Sequence, residues 1–158
     1  MTAADEATIT EQLGRPPRGV VGIAWRCAGG EPGVVVTEPR LPDGTPFPTT
    51  YYLTCPALTG ATSTLEASGV MGEMTARLAA DDDLAAAYHR AHESYLADRR
   101  RLGEVPEIAG ISAGGMPSRV KCLHVLVGHS LAVGPGVNPL GDEAVSLLRE
   151  AGVACVAQ

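Results

Sequence analysis

Aromatic residues are scarce in this chain, with one Trp, one Phe and four Tyr among 158 residues. Apolar residues still make up 45 %, so the core has to be assembled largely from Val, Leu, Ala and Met. No apolar run reaches the roughly 20 residues that a membrane-spanning helix needs, and no membrane partner is expected. An excess of positive charge is missing as well. The formal net charge of −6 argues against a general nucleic-acid binder. The first fifteen residues are acidic and polar and lack the basic-then-apolar order of a secretory signal, which leads us to expect a cytoplasmic protein. The four cysteines include no CxxC pair. In a reducing compartment they are expected as thiols or metal ligands rather than disulfides. The phosphate-loop pattern GxxxxGK[ST] is also absent.

What is present divides into a tail and one domain. Residues 1–18 read as an N-terminal tail, a short helix or a frayed end, followed by the loop LGRPPRG, rich in Pro and Gly. Residues 19–158 are long enough for one domain with a core of its own. Val20 to Cys27 and Val34 to Thr37 read as paired strands around a Gly-Gly-Glu-Pro turn. Four prolines and an Asp-Gly pair exclude regular structure from Glu38 to Pro48. Thr49 to Thr54 reads as a third strand, stopped by Pro56. The remainder has helical spacing. Ser63 with Glu66 fits a capping box ahead of a helix that ends near Ala80. Asp81 to Asp83 suit the start of a long helix running to Leu102. On that helix His89, His92 and Glu93 are surface neighbours, and Arg99 to Arg101 suit its C-terminal end as solvated charge. A last short helix spans Asp142 to Glu150. The expected fold is α+β: a small antiparallel sheet near the N-terminus packed with about four helices.

Gly114 to Glu143 is the stretch on which the chain is organised. Pro117 suits a first helical turn. Val120, Leu123, Val127 and Leu131 then form a core-facing stripe ended by Gly134 and Pro135. Cys122 and His129 share a flank of such a helix, seven residues and about 10 Å apart, whereas His124 points to nearly the opposite side. On a regular helix no single ion is held by both Cys122 and His124. Cys122, His124 and His129 are nevertheless the candidate catalytic residues, because a thiolate nucleophile needs a nearby base or positive field. Cys27, Cys55, Cys122 and His129 are the candidate metal ligands, with zinc or iron as the ion, since three thiolates and an imidazole complete a tetrahedral site. An anion pocket is the other candidate, formed by Gly114 and Gly115 before the helix together with Arg40, Arg119 and Lys121.

The blocks RCAGGEP (Arg26 to Pro32), FPTTYYLTCP (Phe47 to Pro56), KCLH (Lys121 to His124) and GVNPLGDE (Gly136 to Glu143) resemble the bacterial domain-of-unknown-function 501 family. The resemblance runs from about Gly19 to Glu150. It implies a bacterial intracellular protein, and it carries over no activity and no residue role.

Three function classes stay open on the sequence. One is an enzyme or small-ligand protein with a Cys/His site that binds a metal. The second is a regulatory module for an anion or nucleotide, with the loop from Pro39 to Pro48 as a wall. The third is a protein-interaction module, in which an oligomer is one form of partner.

Overall fold

The computed structural model describes residues 1–157. Three strands form one sheet in the order β1 (Val20–Arg26), β2 (Pro32–Thr37), β3 (Tyr51–Leu53), antiparallel throughout. Val34 pairs with both Trp25 and Leu53, so β2 is the central strand. It is also the most buried of the three. The α+β expectation holds, but the described residues contain six helices rather than about four.

The expected tail accounts for one of the extra helices. Residues Ala3–Leu13 form α1, opened by a reciprocal capping box between Thr2 and Asp5. Asp5 also takes two hydrogen bonds from the Arg26 guanidinium at 2.9 and 3.0 Å. That ion pair and the cap hold its carboxyl well below the usual carboxylate range. Ile9 is fully buried, and Gln12 Nε2 donates to the Pro32 carbonyl. Residues 3–13 are thus tied to the sheet.

Pro56 at a first helical position starts α2 (Pro56–Glu66). Ser63 and Glu66 therefore lie in the last turn of a helix, and do not cap the next one as the S-T-L-E spacing suggested. Helix α3 (Val70–Ala80) and the long α4 (Asp82–Leu102) follow, the latter capped by Asp81, whose carboxylate accepts from the Asp83 and Leu84 N–H groups. Along α4 the buried residues are Tyr88, Ala91, His92, Tyr95, Leu96 and Arg99, one stripe at helical spacing.

Helix α5 (Leu123–Val133) is the centre of the domain. Eight of its eleven residues are buried, so it is covered on every side. Two glycines allow the cover to come close. A Cβ at Gly128 would stand 2.8 Å from the Tyr51 carbonyl oxygen of β3. One at Gly141, in α6 (Pro139–Glu150), would strike the Leu126 carbonyl and Ser130 Oγ. Helix α5 is therefore clamped between the sheet and α6, and its N-terminus is fixed in space.

Helix α5 begins at Leu123 and not at Pro117. Residues 113–122 fold into turns instead. Gly114 and Gly115 take positive φ (69° and 92°), the Gly115 carbonyl accepts from Ser118 and Arg119, and the Gly114 carbonyl accepts from Lys121 and Cys122. Glycine is the residue that enters that conformation without steric cost. These bonds occupy the carbonyls of Gly114 and Gly115 and the N–H groups of Ser118, Arg119, Lys121 and Cys122.

Arg99, expected as solvated charge, is 4 % exposed. Its guanidinium donates to the Pro48, Ile108, Ile111 and Ser112 carbonyls. One buried cation thus fastens two loop segments, one ending at Pro48 and the other running from Ile108 to Ser112.

Candidate functional site

The late start of α5 changes the geometry around Cys122. The residue is the N-cap, with extended backbone at φ −148° and ψ 111°. The opposition between Cys122 and His124 expected on a regular helix does not arise. Cys122 Sγ, a ring nitrogen of His124 and a carboxylate oxygen of Glu66 lie within 4.8 Å of one another. Glu66 comes from the end of α2, 57 residues before Leu123. Its Oε2 accepts from the Leu123 N–H at 2.8 Å and from His124 Nδ1 at 3.1 Å. The carboxylate thereby caps α5 in place of Cys122, whose own side chain makes no capping bond.

The partners of His124 favour its protonated form. Nδ1 faces the Glu66 carboxylate, and Nε2 faces the Thr59 carbonyl at 3.2 Å and Ser63 Oγ at 3.4 Å. The Glu66 carboxylate and the Thr59 carbonyl only accept, while the Ser63 hydroxyl serves either way, so these partners favour a ring that donates from both nitrogens, an imidazolium. Hydrogen bonding with Cys122, then with Glu66, pushes His124 up to about 9, against the opposing effect of burial.

This cluster borders a cavity of about 410 Å³ lined by Cys122, His124, Tyr51, Thr54 and Gln12, among others. Leu13 and Tyr52 form a wall shared with a second cavity of about 230 Å³, which carries Arg15 and Arg18. Cys122 is half-buried.

The other candidates lie elsewhere. His129 is fully buried, stacked on Tyr51 (centroids 6.0 Å apart, planes at 9°) and edge-on to Tyr95 at 5.0 Å. Asn138 Nδ2 donates to its Nδ1 at 3.2 Å, and its Nε2 has no partner. Burial pushes His129 down to about 4, so the ring is neutral and serves as core. Cys27 is bonded to Cys155 in a disulfide, which corrects the expectation of four thiols; Cys55 and Cys122 are free. Cys55 lies beside that disulfide, and the groups at Cys27–Cys55–Cys155 and at Glu66–Cys122–His124 are separate clusters. Cys27, Cys55, Cys122 and His129 therefore do not meet at one point. Arg40 is committed to Glu107 at 2.8 Å and to the Gly44 carbonyl. Gly115 sits against Arg119 and Lys121 within their own turn. His92 is buried on Ser112 Oγ at 2.7 Å, with its Nε2 3.9 Å from Glu93.

Sequence reasoning missed Glu66 and Thr59. The S-T-L-E motif drew attention to Glu66 for the wrong helix, and nothing local marks it as the partner of a residue 58 positions away.

Fold and site together define a compact α+β protein with a Cys–His–Glu cluster at the start of its central helix. The family model for DUF501, a protein family of unknown function, matches residues 23–146. The chain belongs to the DUF501 family. No curated protein and no solved structure matches it. No helix among the described residues is long and apolar enough to cross a membrane.

Proposed function

We propose that the protein is a thiol-dependent enzyme acting on the carbonyl group of a small molecule, with Cys122 as nucleophile, His124 as proton carrier and Glu66 as the group that orients the ring. The observation that carries this reading is the His124 ring within 4.8 Å of Cys122 and Glu66, with its Nδ1 on the Glu66 carboxylate. An imidazolium has no lone pair for a metal, so the same three residues are better suited to thiolate chemistry than to holding an ion in this arrangement. A cation beside a thiol favours the thiolate, the form that attacks.

In the first step the Cys122 thiolate adds to the carbonyl carbon, and the carbonyl oxygen becomes an oxyanion. The His124 and Val125 N–H groups open α5 with no capping side chain from Cys122, and the positive end of the helix favours negative charge there. The oxyanion collapses, the bond to the leaving group breaks, and the imidazolium gives that group its proton. A thioester on Cys122 and a neutral His124 remain. In the second step His124 takes a proton from water, the hydroxide adds to the thioester, and the acid departs as the thiolate and imidazolium are restored. Glu66 holds the ring orientation through both transfers.

The cavity suits a small ligand rather than a polymer. Arg15 and Arg18 in the adjoining cavity favour a substrate with a remote carboxylate or phosphate, in keeping with the small-molecule or anion partner expected from the sequence. The test is p-nitrophenyl acetate followed by mass spectrometry of the quenched protein. The expected result is a burst of nitrophenol and acetylation of Cys122, both lost in Cys122→Ala and slowed in His124→Gln. Acetylation spread over surface residues, or unchanged by His124→Gln, would overturn the reading.

A further inference from the structure

Three segments far apart in the chain deliver the remaining cysteines to one place. Cys27 follows β1, Cys55 is the N-cap of α2, and Cys155 lies in the short turn Ala154–Val156. Their sulfurs are within 4.8 Å of one another. Main-chain bonds that do not depend on the disulfide hold each position. The Cys27 N–H donates to the Glu31 carbonyl at 2.9 Å, and the Gly30 N–H donates to the Cys27 carbonyl at 2.8 Å. The Ala28 N–H donates to the Cys155 carbonyl at 3.0 Å, and the Thr59 N–H donates to the Cys55 carbonyl at 2.9 Å. Room for the cluster comes from Gly33, where a Cβ would stand 3.2 Å from Cys27 Sγ and 2.7 Å from the Trp25 ring.

From this convergence we infer that Cys27, Cys55 and Cys155 form a three-thiolate site for zinc, filled when the Cys27–Cys155 bond is reduced. Tetrahedral zinc with Zn–S bonds of about 2.3 Å requires sulfurs about 3.8 Å apart. The bonded pair has to separate to that distance, and Cys55 has to close by at most about 1 Å from its 4.8 Å limit. Cys27 and Cys155 are buried, and Cys55 is half-buried. The fourth position therefore opens on the Cys55 side, where water completes the shell.

The chemistry balances with a dithiol reductant. Two electrons from the dithiol convert the disulfide to two thiols, and the reductant becomes a cyclic disulfide. Zinc then displaces one proton from each of the three thiols. A disulfide oxidant, such as that cyclic disulfide, takes the two electrons back, the Cys27–Cys155 bond re-forms, and Cys55 regains its proton as the ion leaves. In either state the turn Ala154–Val156 stays fastened to β1, by a disulfide in one and by the metal in the other.

The experiment uses the full chain carrying Cys122→Ser, so that no thiol from the Cys122 cluster contributes. The protein is reduced under nitrogen, freed of reductant and titrated with zinc against a chromophoric chelator, with circular dichroism recorded alongside. Cobalt is then substituted to read thiolate-to-metal charge transfer. The expected result is one zinc per chain at submicromolar affinity, protection of Cys27, Cys55 and Cys155 from alkylation, and no zinc in the disulfide form. Cys55→Ser weakens binding by more than the roughly 10–100-fold typical of an outer-shell partner. The inference is overturned if the reduced chain takes up no zinc, or if uptake is indifferent to Cys55→Ser. It is equally overturned if reduction unfolds the chain and zinc does not restore the fold.

Discussion

Replacing His124 by Gln removes a base that the folded chain keeps protonated far above its ordinary range. The ring titrates near 6.5 in the unfolded chain and is raised to about 9 in the fold by Cys122 and Glu66. A base raised on folding adds stability that is complete below 6.5 and disappears as pH rises through 9. At about 1.4 kcal/mol for each factor of ten, the interval amounts to about 3 kcal/mol. Urea unfolding of wild type and His124→Gln, measured at steps from pH 6 to pH 9, reads this directly. The wild type should lose about 3 kcal/mol more than the variant across that range. Comparing the two chains cancels the groups that do not touch His124. Glu66→Gln should shrink the difference without abolishing it, because Cys122 is the larger cause and remains. Parallel stability curves for wild type and His124→Gln would refute the imidazolium on which the proposed chemistry rests.

His129 gives the opposite sign on the acid side. It is lowered to about 4 by burial, so stability should fall by about 3 kcal/mol as pH drops from 6.5 to 4. His129→Phe should remove that slope relative to wild type in the same urea assay. Gly141→Ala gains about 1 kcal/mol of helix propensity, but its Cβ meets the Leu126 carbonyl, which cannot rotate away. Overpacking of about 3 kcal/mol should prevail, lowering Tm by roughly 4–8 °C in calorimetry. Arg99→Met leaves four carbonyls without their donor. It should cost roughly 2–4 kcal/mol and speed proteolysis between Gly103 and Ser112.

The sheet was legible because its signals are local. Val20 to Cys27 and Thr49 to Thr54 are apolar or β-branched runs between turn residues, and they appear as β1 and β3. Helices α4 and α6 were legible from their apolar stripes, and α4 also from Asp81, which caps it; α6 starts at Pro139 behind an Asn138 cap, three residues ahead of the expected Asp142. The boundaries of α2 and α5 were not. Ser63 and Glu66 satisfy a capping-box spacing by composition alone, and Pro117 looks like a helix start. The turns around Gly114 and Gly115 take up the N–H groups of Ser118, Arg119, Lys121 and Cys122, which no periodicity reports. The shift of α5 from Pro117 to Leu123 is what moves His124 from the far side of a helix to the side of Cys122. Pairings between distant segments were also hidden. Cys27 and Cys155 are 128 residues apart, and Glu66 caps a helix other than its own. Only tertiary contacts settle such pairs, so Cys122 and His124 were named as candidates while Glu66, which accepts from His124 and caps α5, was not.

The most direct measurement is the rate of iodoacetamide labelling of native protein at each free cysteine, followed by mass spectrometry from pH 5 to pH 9, for wild type, His124→Gln and Glu66→Gln. If Cys122 is a nucleophile paired with His124, it labels faster than Cys55 across the series, and both substitutions slow it. Labelling of Cys122 no faster than Cys55, with a profile indifferent to His124 and Glu66, would contradict the account.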